Sequence, residues 1–99
     1  MNTSVPISVL MIGCGAFARR YHVPAFEDDG AVSIAGIFDP FPTPPTRALA
    51  ERCGAPLTAR IEDLPRPVGL SFALVPTPHM LHADHISAML ERRMNVLVD

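Results

Sequence analysis

Residues Val9 to Ala18 read V-L-M-I-G-C-G-A-F-A, and the next apolar run, I-A-G-I-F-D, closes on Asp39. An apolar strand running into Gly13-Cys14-Gly15-Ala16-Phe17-Ala18, then a helical stretch, then a second strand ending in an acid is the arrangement that binds a dinucleotide. Each position has a physical task. Gly13 permits the tight turn out of the strand. Gly15 has no Cβ, so the backbone can approach a pyrophosphate. Ala18, where a third glycine is common, is small enough for the helix to pack on the strands. The free N–H groups around Ala16 and Phe17 meet phosphate oxygens with the helix dipole behind them. Asp39, 21 residues past Ala18, is placed to accept hydrogen bonds from ribose hydroxyls. The competing reading is a strand-to-helix turn that merely needed glycines.

Working outward, 99 residues leave room for one small domain. The chain is 48% apolar and 18% charged, which suits a packed core rather than disorder. A net charge of −2 with no basic block points away from nucleic acid and anionic membrane surfaces. No apolar run reaches the roughly 18 residues of a membrane span. The start, Met-Asn-Thr-Ser, lacks the basic segment of a signal peptide. Cys14 and Cys53 have neither metal nor redox spacing, so reduced thiols in a cytoplasmic protein are the simplest reading. The 11 prolines fall between elements and punctuate loops.

The elements alternate. Val5 to Ile12 reads as strand one, apolar enough to be covered on both faces. Ala16 to His22 reads as a helix that Pro24 cannot continue. Val32 to Phe38 is strand two, and Asp39 to Pro45 a proline-rich turn. Thr43 or Thr46 caps a helix through Arg52, stopped by Cys53-Gly54. Leu57 to Ala59 is a short third strand, and Ile61 to Pro67 a loop or helical turn. Gly69 to Val75 is strand four, Pro76-Thr77-Pro78 a rigid turn, His79 to Arg93 a helix, and Asn95 to Val98 strand five. The expectation is an α/β, Rossmann-type parallel sheet of about five strands in the order 3-2-1-4-5, with helices on both faces. Strand five is expected at an edge, with Val96 and Val98 exposed.

The stretch Val75-Pro76-Thr77-Pro78-His79-Met80-Leu81-His82, followed by a helix and N-V-L-V-D, adds to the first motif. Together they resemble the glucose–fructose oxidoreductase / inositol dehydrogenase (Gfo/Idh/MocA) family. Its members carry a G-x-G-x-x-A/G turn, often an H-x-P-A-like stretch (here His22-Val23-Pro24-Ala25), a T-P-N-x-x-H-like turn after strand four, and a strand ending in E-K-P. The resemblance runs from Val9 to Asp99. His79 stands where Asn is common, and Asp99 where the Glu of E-K-P is usual. The resemblance implies an NAD(P)-dependent oxidoreductase moving a hydride to or from a sugar, inositol or similar small molecule. It implies that Pro76, Thr77, Pro78, His79, His82 and Asp99 lie beside the nicotinamide half of the cofactor. It also implies that the lysine and proline after Asp99, and a C-terminal substrate domain, lie beyond this chain. Residues 1–99 are then an incomplete N-terminal NAD(P)-binding domain, expected to be inactive alone and without a catalytic residue of its own. The full-length relative is expected to be a homo-oligomer.

Other readings stand beside these. His82 lies on the stripe His82, Ile86, Met89, Leu90, which suits a core histidine as well as a cofactor neighbour. His79 and His85 suit solvated helix positions. Histidines at 79, 82 and 85 do not share one face, so no metal is expected. Cys14 suits a filler in a tight turn, with a redox role as the alternative. Arg19-Arg20 and Arg92-Arg93 read as solvated helix faces. Arg47 could approach a 2′-phosphate, but the charge of Asp39 repels one, so NAD is favoured over NADP. A nucleotide-binding module or pseudoenzyme subunit without chemistry, and a methyltransferase with a similar first turn, are the rival functions.

Overall fold

The protein is described from a computed structural model, over residues 7–13, 32–67, 71–75 and 86–98. Five strands form one parallel sheet: β1 (Ile7–Ile12), β2 (Val32–Phe38), β3 (Leu57–Thr58), β4 (Ser71–Val75) and β5 (Asn95–Val98). Their order is β3-β2-β1-β4-β5, the expected one. All four pairings are parallel. The central place of β1 explains its composition. Val9, Leu10, Met11 and Ile12 are fully buried, because neighbours flank both edges and other elements cover both faces.

The helix α1 (Pro44–Cys53) covers one face. Leu49 and Ala50 pack there with Val9, Met11, Ile34, Ile37 and Leu74. Residues 86–91 are helical and form α2. Met89 of α2 packs on the other face, against Leu10, Ile12, Phe38, Ala73 and Val75. Helices thus lie on both faces.

The termini of α1 follow from local chemistry. Thr43 is its N-cap, but the hydroxyl makes no capping bond to the backbone. Pro44 and Pro45 occupy the first helical positions and have no N–H to offer. The Thr43 hydroxyl instead lies 3.3 Å from that of Thr46, which is completely buried in the first turn. Thr46 is therefore not the cap. At the other end Gly54 adopts φ 65°. The Gly54 N–H donates to the carbonyl of Glu51 at 3.1 Å, and that of Ala55 to Ala50 at 2.9 Å, the paired bonds of a Schellman closure.

Some boundaries differ from expectation. Strand three stops at Thr58 rather than Ala59. The Thr58 hydroxyl donates to the carbonyl of Arg60 at 3.0 Å, and this bends the chain out of the ladder. Ile61–Asp63 forms a 3-10 turn. The helix expected to run to Arg93 ends two residues sooner, because Arg93 takes the left-handed φ of 59°. Leu90, placed on the sheet-facing stripe, is 57% exposed. Met89 and Ile86, three apart, share the inward face, and Leu90 lies a further ~100° round the helix. Val96, expected to be exposed, packs half-buried against the second core cluster. The expected strand residues 5, 6, 69 and 70 and the helix over 16–22 lie outside the described residues.

The two core clusters meet across a bulge. Val9 pairs with Ile34, but Leu10 pairs with Gly36, so Ala35 has no partner on β1. The extra residue reverses the alternation. Ile34 and Ile37, three apart, pack on the same face as Met11, while Phe38 joins Leu10 and Ile12.

Candidate functional site

Parallel α/β sheets bind ligands at the carboxyl ends of their strands, where the strand order reverses. Here the reversal falls at β1, between β2 and β4. Gly13 and Asp39 immediately follow the ends of β1 and β2.

Gly13 has φ 93°, a conformation that L side chains rarely adopt. Its N–H donates to the carbonyl oxygen of Phe38 at 2.7 Å. The residue that turns the chain out of β1 is thus tied to the residue before the acid. The positive φ is a conformation that suits the glycine at this position.

Asp39 is fixed from both sides. Its N–H donates to the carbonyl of Thr58 at 2.9 Å, which extends the β2–β3 pairing by one residue. Its Oδ1 accepts the N–H of Phe41 at 3.0 Å. This local turn orients the carboxylate, and Oδ1 has capacity for a second donor. Asp39 is only partly buried, so its carboxylate meets solvent at the sheet edge. Phe41, beyond it, is 86% exposed. Arg47 is exposed in the first turn of α1.

The positive φ at Gly13 and the acid on the neighbouring strand fit a dinucleotide. A side chain at Gly13 would be strained, and the carboxylate supplies the acceptors a ribose diol needs. Gly15, Ala16, Phe17, Ala18, Pro76, Thr77, Pro78, His79, His82 and Asp99 lie outside the described residues, as do Cys14 and His85. No helix among the described residues is long and apolar enough to cross a membrane.

One residue contradicts its sequence reading. Arg92 was expected on a solvated helix face. It is only partly exposed, and its Nη2 donates to the carbonyls of Leu64 at 2.6 Å and Pro65 at 3.3 Å. No local pattern signals this, because the acceptors are 27 and 28 residues away.

Residues 7–99 match the model of an oxidoreductase family with an NAD-binding Rossmann fold, Gfo/Idh/MocA. Among solved structures, the chain is similar to KijD10, a 3-ketoreductase from Actinomadura kijaniata in complex with NADP and TDP-benzene. Identity is 28%, the TM-score 0.78, and the match covers 94% of this chain and 28% of that one. An oxidoreductase from Bacillus cereus matches in fold at TM-score 0.81, with 22% identity over 93% of this chain and 26% of that one. The WlbA dehydrogenase from Bordetella pertussis, in complex with NADH and UDP-GlcNAcA, matches in fold at TM-score 0.77, with 20% identity over 99% of this chain and 29% of that one. No curated protein sequence matches the chain. The chain spans little more than a quarter of the length of these solved structures. The order of the strands, the glycine turn joined to the acid-bearing strand end, and the match over residues 7–99 lead to one assignment: this chain belongs to the Gfo/Idh/MocA oxidoreductase family and carries its NAD-binding Rossmann fold.

Proposed function

We propose that the chain is the dinucleotide-binding part of an oxidoreductase that moves a hydride to or from a sugar, an inositol or a similar small molecule. The observation that carries this reading is the 2.7 Å bond from Gly13 to Phe38, which sets the glycine turn beside Asp39. The similarity to a ketoreductase crystallised with NADP supports the cofactor class. The nicotinamide supplies hydride acceptor and donor chemistry when bound. The chain's own residues bind and orient it. The backbone from Gly13 to Ala18 receives the pyrophosphate. Asp39 takes the adenine ribose hydroxyls, with its carboxylate held by the Phe41 N–H. Pro76, Thr77, Pro78, His79, His82 and Asp99 flank the nicotinamide half, by resemblance to the family. Substrate contacts and the proton-transferring lysine come from outside these residues, in a homo-oligomeric cytoplasmic enzyme.

Between the two cofactors, NAD is the proposed one. A fixed carboxylate next to the 2′ position attracts a hydroxyl and repels a phosphate. Arg47 supplies the competing attraction. Titration of the chain with NADH and NADPH, read by nicotinamide fluorescence, tests the proposal. Tighter binding of NADH is expected. Binding of neither overturns the cofactor reading, and tighter binding of NADPH overturns the role given to Asp39.

A further inference from the structure

Three of the chain's eight basic residues converge far from the glycine turn. Arg66, Arg92 and Arg93 line a cavity of about 230 Å³, together with Pro67, Ser71 and Met94. Ser71 opens β4, and Met94 precedes β5. The cavity is therefore at the amino ends of these strands, at the opposite edge of the sheet from Gly13 and Asp39.

Among the described residues no carboxylate lines the cavity. Glu62 and Glu91 line the neighbouring cavity, which Arg66 and Arg92 also border, and Glu62 pairs with Arg60 at 3.2 Å. Arg92 is held in place by the carbonyls of Leu64 and Pro65, while its Nη1 is buried without a hydrogen-bond partner among the described residues. Burial and then the charge of Arg66 push the Arg92 guanidinium below its ordinary value. The charges of Arg66 and Arg92 thus repel one another.

The N–H of Arg93 donates to Leu90 at 2.9 Å, and that of Met94 to Met89 at 3.2 Å. This closes α2 with the same paired bonds that close α1. In α1 the left-handed position is Gly54, the residue that suits it. In α2 it is Arg93, the one non-glycine with positive φ among the described residues. The fold tolerates a backbone strain there that glycine would relieve, and the side chain so retained lines the cavity.

We propose that Arg66 and Arg93, with the Ser71 hydroxyl and the positive charge of the anchored Arg92 beside them, form a binding site for a phosphate-class oxyanion. Guanidinium groups match tetrahedral oxyanions through paired, charge-assisted hydrogen bonds. The cavity accommodates inorganic phosphate or the phosphoryl end of a small ester.

The test compares thermal stability of the parent chain, Arg93→Gly and Arg66→Gln, in phosphate, in glycerol phosphate and in chloride of equal ionic strength, with and without saturating NADH. Both oxyanions are expected to raise the parent Tm above the chloride value. A larger effect of one of them identifies free phosphate or a phosphoryl ester as the ligand. Arg93→Gly is expected to raise the Tm in chloride, by relieving the left-handed arginine, yet to weaken phosphate affinity about tenfold. A merely structural arginine would not give these opposite signs. Arg66→Gln is expected to lose the phosphate response without a gain in chloride. The proposal is overturned if phosphate acts no differently from chloride, if both variants respond like the parent, or if NADH abolishes the response. That last result would put the anion in the cofactor's own phosphate site.

Discussion

The N–H of Gly13 donates to the carbonyl oxygen of Phe38 at 2.7 Å, so the turn out of β1 is fastened to the residue that precedes Asp39. A dinucleotide bound as proposed would meet the glycine turn and the acid at a spacing set by two adjacent strands. Neither a flexible linker nor a side-chain rotamer fixes that spacing.

The charge of Asp39 is separable from its shape. Asp39→Asn keeps an oxygen for the Phe41 N–H but removes the negative charge. The expected outcome is a loss of about tenfold in the preference for NADH over NADPH, with the fold intact. Asp39→Ala removes the acceptors as well and is expected to weaken NADH about 10–100-fold, since a hydrogen bond to a charged group contributes about 1.5–3 kcal/mol. Fluorescence titration with both cofactors checks each value.

At Gly36 the sheet lies close against Pro65. A Cβ there would lie 2.9 Å from Cδ of Pro65 and 3.2 Å from Cδ2 of Leu10. The proline ring has little freedom to withdraw. Gly36→Ala is expected to destabilise the chain by about 1–3 kcal/mol, the usual range for overpacking. Urea denaturation gives the difference. A neutral result would mean that the loop over Leu64 and Pro65 can lift away from β2.

Arg92 anchors that same loop. Arg92→Lys keeps the charge but cannot span two carbonyls with a planar fork. A loss of about 1–3 kcal/mol is expected in urea denaturation. Arg66→Gln, an exposed position, is expected to stay within about 0.5 kcal/mol of the parent.

The Glu62 carboxyl is held below its ordinary range, first by its own backbone N–H and then by the Arg60 guanidinium. A carboxyl lowered in the folded state adds stability that is fully present above its unfolded value, about 4.3. That stability is lost as pH falls through the lower folded value. Glu62→Gln is therefore expected to be the less stable at neutral pH and to converge with the parent under acid. Both partners are largely exposed, at 72% and 71%, so the difference should be small and should shrink in 1 M salt. Thermal melts across pH at two salt concentrations measure it.

Much of the fold was legible in the residues. The fully apolar core of β1, the glycine turn after it, the acid closing β2 and the Gly54 stop of α1 are local signals, each with a local physical cause. Strand alternation with helices then points to parallel pairing, and the dinucleotide-binding pattern to the strand order. The bulge at Ala35 was not legible. Strands covered on both faces are apolar throughout, so a shift of one residue leaves the hydrophobic pattern unchanged. Only pairing with β1 reveals that Ile34 and Ile37 share a face. Arg92 and Arg93 looked like a charged, solvated helix end. One of them anchors a loop more than 25 residues distant, and the other closes a helix in a glycine's conformation. The sequence by itself determined the sheet, its turns and the acid beside the glycines, because those depend on neighbours in the chain. The tertiary structure alone decided which faces the side chains take and where the arginines gather, because those depend on contacts between segments that the chain keeps far apart.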